Sequence, residues 1–377
     1  MKKWFIVAFV CLFAFGCRCK SPIEDPATGS ATSGSTPSFS LAVSEYPSWS
    51  VFLVADMEGL IDGKKGAQGS VEKKWGVDIV LKECDYDTCL TLFGSGTVDA
   101  SCQTNMDSLA PALGRTSVAV LPTSTSVGAD ACIVVGIDSL EDLKGKTTYG
   151  LEKSVAQYAF ERGLEEKGQN PADFPFKNMD PGAAAQAMQT GQENIESIQV
   201  WNPFVLQTQR TREGAKVLFD SSLIPEEIID MVVIGKDSLE KPGGEAFACC
   251  VIDTFYQTNA LLGNALGNDP LTETQAQEVV AKLTDDQKKT LVALGAKFSN
   301  LPAEDMAQVV RATRFYKTAD EGIALFTSQQ FQGTTIPKVI DFCVGHAIVD
   351  DKPTVGFADQ TTQLNFDPQF MQKVKDK

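Results

Sequence analysis

Two successive series of short apolar runs, each run followed by a segment of helical periodicity, constrain the fold of this chain most strongly. The first series extends from residue 39 to about residue 135, and the second from about residue 140 to residue 234. Beyond residue 243 the apolar residues recur almost entirely at helical spacing. Alternating strands and helices are typical of mostly parallel sheets that are covered by helices. The sequence therefore predicts an α/β protein with two mostly parallel or mixed sheets and a helical C-terminal part.

The length of 377 residues allows one large domain or two lobes. If the second series is inserted into the first, two strands must cross between the lobes, and the apolar runs 131–135 and 231–234 are the natural crossing points. This arrangement places residues 39–131 and 235–377 in lobe 1 and residues 132–234 in lobe 2. In such sheets a ligand binds outside the carboxyl ends of the strands, so we expect a site where the lobes meet.

The N-terminus predicts export. Two lysines precede an uninterrupted apolar run of 13 residues, which is shorter than the ~20 residues of a membrane-spanning helix but suits a signal peptide. The run closes on Gly-Cys, and a segment rich in Ser, Thr, Gly and Pro follows. We therefore expect a lipoprotein signal over residues 1–16, a lipid on Cys17 and a flexible tether over residues 17–38. An ordinary secretory signal is the alternative.

The charge and the scarcity of histidine limit the possible functions. The chain has 49 acidic and 33 basic residues, a net charge of −16, and shows no basic stripe, which argues against a nucleic-acid partner. His346 is the single histidine, which argues against a multi-histidine metal site. Accordingly, no metal and no cofactor are predicted.

Ten cysteines are many for a chain of this length. Cys84 and Cys89 could pair across a loop, since export permits disulfides. Buried free thiols are the better interpretation for Cys102, Cys132 and Cys343, because each lies in an apolar segment.

Polar and aromatic residues gather where the predicted strands end. Two carboxylates, Asp107 and Glu152, occur there together with the aromatic residues Tyr46, Trp49 and Trp201, and no arginine accompanies them. Carboxylates beside aromatic faces suit a small cation, through charge-assisted hydrogen bonds and cation–π contact. The alternative for the polar residues among them is helix capping, for which Asn105, Ser154 and Asn202 are well suited.

Several motifs carry a resemblance to a known family. The segments SEYPSW (44–49), GSGTVDASCQTNMDSLA (94–110), VWNPFVLQ (200–207) and RFYKTADEGIALFTS (314–328) resemble the nitrate/taurine (NitT/TauT) type of substrate-binding proteins of ABC importers. Within that type, TNMD, EKSV, WNP and FDSSLIPEEIIDMVV (219–233) resemble the binding protein encoded beside urea carboxylase.

The resemblance implies a two-lobed periplasmic-binding fold of type II that closes about a hinge. It implies a monomer that delivers a small nitrogen compound, such as guanidinium or urea, to an ABC permease and its ATPase. It also implies an exported protein, periplasmic or at the cell surface, that is held at the membrane only through its lipid. By position, it implies that the cleft is lined by Tyr46, Trp49, Thr104, Asn105, Asp107, Glu152, Ser154, Trp201 and Asn202.

Two other functions are the alternatives. An enzyme could use Cys84, Cys89 or Cys102 as a nucleophile, but His346, the one histidine base, lies in an apolar segment, so we predict that the chain is not an enzyme. The same fold could instead bind an oxyanion, such as nitrate, a sulfonate or bicarbonate, or a pyrimidine of the thiamine-precursor type. The missing arginine at the strand ends argues against an oxyanion.

Overall fold

The computed structural model describes residues 35–192, 195–298, 300–358 and 361–377. The predicted signal peptide, Cys17 and most of the predicted tether lie outside the described residues. Within the described ranges, no helix combines the length and the apolar character that crossing a bilayer requires.

Strands and helices alternate through the first two thirds of the described chain, as the apolar runs predict. The strands are β1 (Ser38–Val43), β2 (Asp78–Glu83), β3 (Ala100–Thr104), β4 (Ser117–Thr125), β5 (Asp130–Val135), β6 (Thr148–Gly150), β7 (Phe176–Asn178), β8 (Ser197–Trp201), β9 (Ala215–Asp220), β10 (Ile229–Gly235), β11 (Val355–Phe357) and β12 (Leu364–Phe366). The helices up to β10 are α1 (Val51–Met57), α2 (Ser70–Trp75), α3 (Tyr86–Gly94), α4 (Leu109–Gly114), α5 (Leu140–Leu143), α6 (Val155–Glu166), α7 (Pro181–Gln189) and α8 (Phe204–Thr211).

The C-terminal part is largely helical, as predicted. Its helices are α9 (Lys236–Leu239), α10 (Gly244–Leu262), α11 (Glu273–Lys282), α12 (Asp285–Lys297), α13 (Ala303–Ala312), α14 (Ala319–Thr327), α15 (Ile336–Gly345) and α16 (Gln369–Lys375). The apolar pattern of the sequence missed β11 and β12, which are three residues each and too short to show a period of two. It also missed β9.

Seven strands form the larger sheet, in the order β11-β12-β4-β10-β3-β1-β2. All are parallel except β10, which runs antiparallel to both β3 and β4. Every residue of β4 and β10 is buried, including the polar end of β4, Thr123-Ser124-Thr125, and Asp230 in β10. Because the other six strands are parallel, their carboxyl ends lie at one edge of the sheet. The antiparallel strand β10 begins at that same edge.

The smaller sheet has the order β7-β6-β8-β5-β9. Here β5 is the one antiparallel strand, paired with β8 and β9. The side chains of β5 alternate between two apolar clusters. Ala131 and Ile133 pack with α7 and β8, whereas Cys132 and Val134 pack with α6 and β9. Helices thus cover both faces of this sheet.

The chain passes between the sheets twice, from β4 to β5 and from β9 to β10. The passages directly precede β5 and β10, the strands that contain the apolar runs 131–135 and 231–234. The architecture is the predicted two-lobed α/β fold with two mixed sheets, which confirms the predicted fold class. The exact lobe boundaries, 39–131 with 235–377 and 132–234, stay a prediction.

Candidate functional site

A cavity of about 620 Å³ lies at the carboxyl ends of parallel strands from both sheets. Residues that follow β1, β2, β6 and β7 line it, together with the last residues of β3 and β8. Asp130 and Asp230 join them from a different direction. They stand at the start of β5 and β10, the two antiparallel strands, which begin where their parallel neighbours end. The topology therefore brings both crossing strands to the same cavity as the strand-end loops.

Four aromatic rings form a continuous wall of this cavity. The ring centroids of Tyr46 and Trp49 are 4.8 Å apart, and Trp49 stacks on Tyr86 at 5.4 Å. Trp201, from the smaller sheet, meets Tyr86 edge-on at 6.3 Å. The predicted residues Tyr46, Trp49 and Trp201 thus come together, with Tyr86 between them. Tyr86 follows β2 as Tyr46 follows β1, so the strand-end rule could have indicated it.

Asp230 and Asp130 are the most deeply buried carboxylates of the cavity, with exposed fractions of 1% and 3%. The Ser124 hydroxyl donates to Asp230 Oδ2 at 2.6 Å. Burial, and next the charge of Asp130, raise the pKa of Asp230 well above its ordinary value. Burial raises the pKa of Asp130 to about 7, with the charge of Asp107 adding to the effect. Without a bound cation, these acids repel one another and hold protons more tightly.

Asp107 is satisfied by the protein itself. Its Oδ2 accepts hydrogen bonds from the Tyr86 hydroxyl at 2.8 Å and from the Thr104 hydroxyl at 2.9 Å. The nearby backbone N–H of Val155, in the first turn of α6, also acts to lower the pKa of this carboxyl. Burial nevertheless raises the pKa of Asp107 to about 6, because it outweighs these hydrogen bonds. Asp107 thereby ties the end of β3 to the first residue of α3.

Two buried polar atoms on the aromatic wall lack partners within the described part of the chain. The Tyr46 hydroxyl lies near Asp230 and Asp130 without a hydrogen bond of good geometry, and the Trp49 indole Nε1 has no acceptor. Leaving such a group unsatisfied costs about 1–3 kcal/mol. A tyrosine hydroxyl can donate or accept, whereas an indole N–H only donates. A molecule in the cavity could satisfy both groups.

The charge of the cavity is strongly one-sided. Neither lysine nor arginine is among the described residues that line it, whereas the lining contains the carboxylates of Glu45, Glu83, Asp85, Asp87, Asp130, Asp180 and Asp230. A cleft with charges of one sign attracts the opposite charge and repels its own. The electrostatics therefore favour a cation and oppose an oxyanion.

The predicted site residues divide into three groups. Tyr46, Trp49, Thr104 and Trp201 line the cavity of about 620 Å³. A neighbouring cavity of about 240 Å³ is lined in part by Asp107, Glu152 and Ser154. Tyr86 and Leu151 border both cavities, so the two are adjacent. Asn105 and Asn202 line neither of them.

The local roles of the polar residues explain this division. The Asn105 amide is engaged by the backbone, since it donates to the Glu227 carbonyl at 3.0 Å and accepts from the Ile229 N–H at 3.1 Å. Ser154 caps α6 by accepting from the Ala156 N–H. Glu152 is solvent-exposed.

Asn202 and the candidates for catalysis have local partners as well. The Asn202 side chain accepts a long hydrogen bond, 3.4 Å, from the Leu206 N–H. His346 lies beyond the end of α15, stacked on Phe342 and bonded to Glu161 at 3.0 Å, and it does not line the cavity. Cys84 does line it, whereas Cys102 is buried in β3. The proposed histidine base is therefore not placed beside the cavity thiol.

The two mixed sheets, the paired antiparallel crossing strands and the cavity at the strand ends define the periplasmic-binding-protein fold. No protein-family model matches the sequence, and the comparison with curated proteins found no match. The fold is similar to that of solved structures of low sequence identity.

One such structure is the periplasmic aliphatic sulphonate binding protein SsuA from Escherichia coli, with 19% identity over 84% of this chain and 89% of that one, at a TM-score of 0.59. Another is the alkanesulfonate-binding protein SsuA from Xanthomonas axonopodis pv. citri bound to MOPS, with 16% identity, 85% and 96% coverage and a TM-score of 0.61. A Candida albicans gene product described as having the generic periplasmic binding protein fold shares 14% identity over 84% and 92%, at a TM-score of 0.56. At these identities the likeness establishes the fold alone.

Proposed function

We propose that the chain is an extracytoplasmic substrate-binding protein of an ABC importer, and that it captures a small nitrogen compound with guanidinium-like chemistry. The observation that carries the proposal is the buried pair Asp130 and Asp230 in a cavity whose described lining contains neither lysine nor arginine. Import function is supported by the fold and by the sequence resemblance. The choice of a cation is supported by the charge of the cavity.

A guanidinium ion matches the carboxylates, the Tyr46 hydroxyl and the aromatic faces of the cavity. Its N–H donors suit the carboxylates of Asp130 and Asp230, and charge-assisted hydrogen bonds contribute about 1.5–3 kcal/mol each. The Tyr46 hydroxyl can accept a further N–H. Cation–π contact with the aromatic wall adds about 0.5–2 kcal/mol. A neutral urea would make similar hydrogen bonds but would leave the repulsion between the carboxylates unrelieved.

Binding would close the proposed lobes, 39–131 with 235–377 against 132–234, about the two crossing passages. The cavity draws its walls from both sheets, so a ligand that contacts both favours the closed form. The loaded protein, monomeric and tethered through a lipid on Cys17, would then dock on its permease and ATPase.

A sulfonate or another oxyanion is the second candidate, because two structures with this fold are described as sulfonate-binding proteins. The acidic lining opposes it in this chain.

Isothermal titration calorimetry on the mature protein distinguishes these ligands. We expect binding of guanidinium, weaker binding of urea, and no heat with methanesulfonate or nitrate. Asp230→Asn should weaken guanidinium binding by roughly 10- to 100-fold, the loss of one charged partner. Asp138 forms an exposed ion pair with Lys216 and does not line the cavity. Asp138→Asn is therefore the matched control and should bind guanidinium normally. Tight sulfonate binding, or an unchanged affinity in Asp230→Asn, would contradict the proposal.

A further inference from the structure

Two thiols, Cys84 and Cys89, meet at the edge of the candidate cavity. Their Sγ atoms are 2.8 Å apart, closer than unbonded sulfur atoms ordinarily pack. A disulfide bond is about 2.05 Å long, so the two sulfurs need to approach by only about 0.8 Å to form one. Both residues are free thiols in the structure. The backbone therefore already holds the pair near bonding distance.

The segment between these cysteines carries the centre of the aromatic wall. Cys84 follows β2 and lines the cavity, whereas Cys89 is fully buried in α3. Tyr86 lies between them, and it stacks on Trp49, contacts Trp201 and donates to Asp107. A bond between the two sulfurs would close a short loop of six residues, 84–89, that contains Tyr86.

We propose that Cys84 and Cys89 form a disulfide in the exported protein, and that this bond fixes the loop bearing Tyr86 and so pre-organises the cavity wall. The inference that the protein meets an oxidising compartment rests on the proposed function. Fixing a wall residue before the ligand arrives removes part of the ordering cost of binding. The stabilisation of the fold itself is small, because the closed loop is short.

The reaction requires an oxidant that is itself a disulfide, either a protein dithiol oxidase or a low-molecular-weight disulfide. Cys84 reacts first, because it is the more accessible thiol and because burial raises the pKa of Cys89 well above its ordinary range. The Cys84 thiolate attacks the oxidant and displaces one of its sulfurs as a thiol. Cys89 then attacks Sγ of Cys84 and displaces the second. The two cysteines lose two electrons and two protons, and the oxidant gains both.

The bond is tested by peptide mass spectrometry without any ligand. The folded protein is incubated with oxidised glutathione, then denatured in an alkylating reagent without reductant. We expect residues 84 and 89 in one cross-linked product, lighter by two hydrogen atoms, with the buried Cys102, Cys132 and Cys343 alkylated. Cys84→Ser should abolish the product, and the matched control Cys102→Ser should keep it. Alkylation of both Cys84 and Cys89 in folded wild-type protein overturns the proposal.

The positioning role is tested by hydrogen exchange over residues 85–88, which also needs no ligand. Exchange should be slower in the oxidised protein than after treatment with a phosphine reductant, and Cys84→Ser should match the reduced form under both conditions. Guanidinium affinity should fall roughly two- to tenfold when the disulfide is reduced, because binding must then also order the Tyr86 side chain. Equal exchange in both forms overturns the positioning role. Absence of guanidinium binding in both forms would overturn the proposed function, and the mass and exchange results would still decide the disulfide.

Discussion

Arg162 forms a bidentate ion pair with Glu227, in which Nε donates to Oε2 at 2.8 Å and Nη2 donates to Oε1 at 3.0 Å. Glu227 also accepts from the Tyr158 hydroxyl at 2.7 Å and from Lys338 at 2.7 Å. Arg162 and Tyr158 belong to α6, on the smaller sheet, and Lys338 belongs to α15, on the other side of the passage into β10. One buried carboxylate thus joins three parts of the chain at the crossing between the sheets.

The first prediction concerns this carboxylate. Its hydrogen bonds outweigh burial and lower the pKa of Glu227 from its ordinary 4.5 to about 2. A carboxyl group whose pKa is lowered by folding stabilises the fold at pH values above its pKa in the unfolded chain. This contribution is lost as the pH falls through the folded pKa of about 2. We expect Glu227→Gln to lower the free energy of unfolding by about 2–4 kcal/mol near neutral pH. The difference from wild type should shrink below about pH 4.5.

Urea denaturation at several pH values measures this difference. The exposed pair of Lys216 and Asp138 provides a control, because Asp138→Asn should change stability by no more than about 0.5 kcal/mol. A Glu227→Gln variant as stable as Asp138→Asn at neutral pH would show that the network contributes nothing.

The second prediction concerns the stability of the ligand-free protein. The pKa of Asp130 is raised from its ordinary 3.8 to about 7. A carboxyl group whose pKa is raised by folding stabilises the fold fully at pH values below its pKa in the unfolded chain. This contribution is lost as the pH rises through the folded pKa of about 7. Asp130→Asn stays neutral, so its stability relative to wild type should increase between about pH 4 and pH 7, by at most a few kcal/mol. Thermal unfolding at matched ionic strength measures this change. A difference that stays constant with pH would mean that Asp130 titrates normally.

The third prediction concerns binding and pH together. A cation must compete with protons held by Asp230, whose pKa is raised well above its ordinary value, and by Asp130, whose pKa is raised to about 7. Guanidinium affinity should therefore rise with pH between about pH 5.5 and pH 8, by up to about tenfold per unit for each proton displaced. Calorimetry in two buffers of different ionisation enthalpy counts the released protons directly. Binding that releases no proton at pH 6 would refute the competition.

The sequence predicted the fold class because the strand and helix periodicities are strong and the two α/β series are separate. It also placed Tyr46, Trp49, Thr104 and Trp201 at strand ends, and parallel topology brings such ends together. It missed Asp130 and Asp230, because both stand at the start of a strand. Only the antiparallel direction of β5 and β10 carries a strand start to that edge, and apolar periodicity does not encode strand direction. Helix capping accounts for Ser154, as the alternative interpretation proposed.

The last prediction uses the unpartnered indole of Trp49 to distinguish ligands by their acceptors. Trp49 is only 3% exposed, and its indole N–H has no acceptor among the described groups. The substitution Trp49→Phe keeps an aromatic face but removes this N–H. Guanidinium has no acceptor atom, so it should lose only the difference in cation–π strength, about threefold or less. Urea presents a carbonyl oxygen and should lose up to about tenfold. Trp75→Phe is the matched control, because the Trp75 N–H already donates to Asp253 at 2.8 Å and lies away from the cavity. Competition calorimetry gives both affinities, and equal losses for the two ligands would show that the indole N–H does not contact the bound molecule.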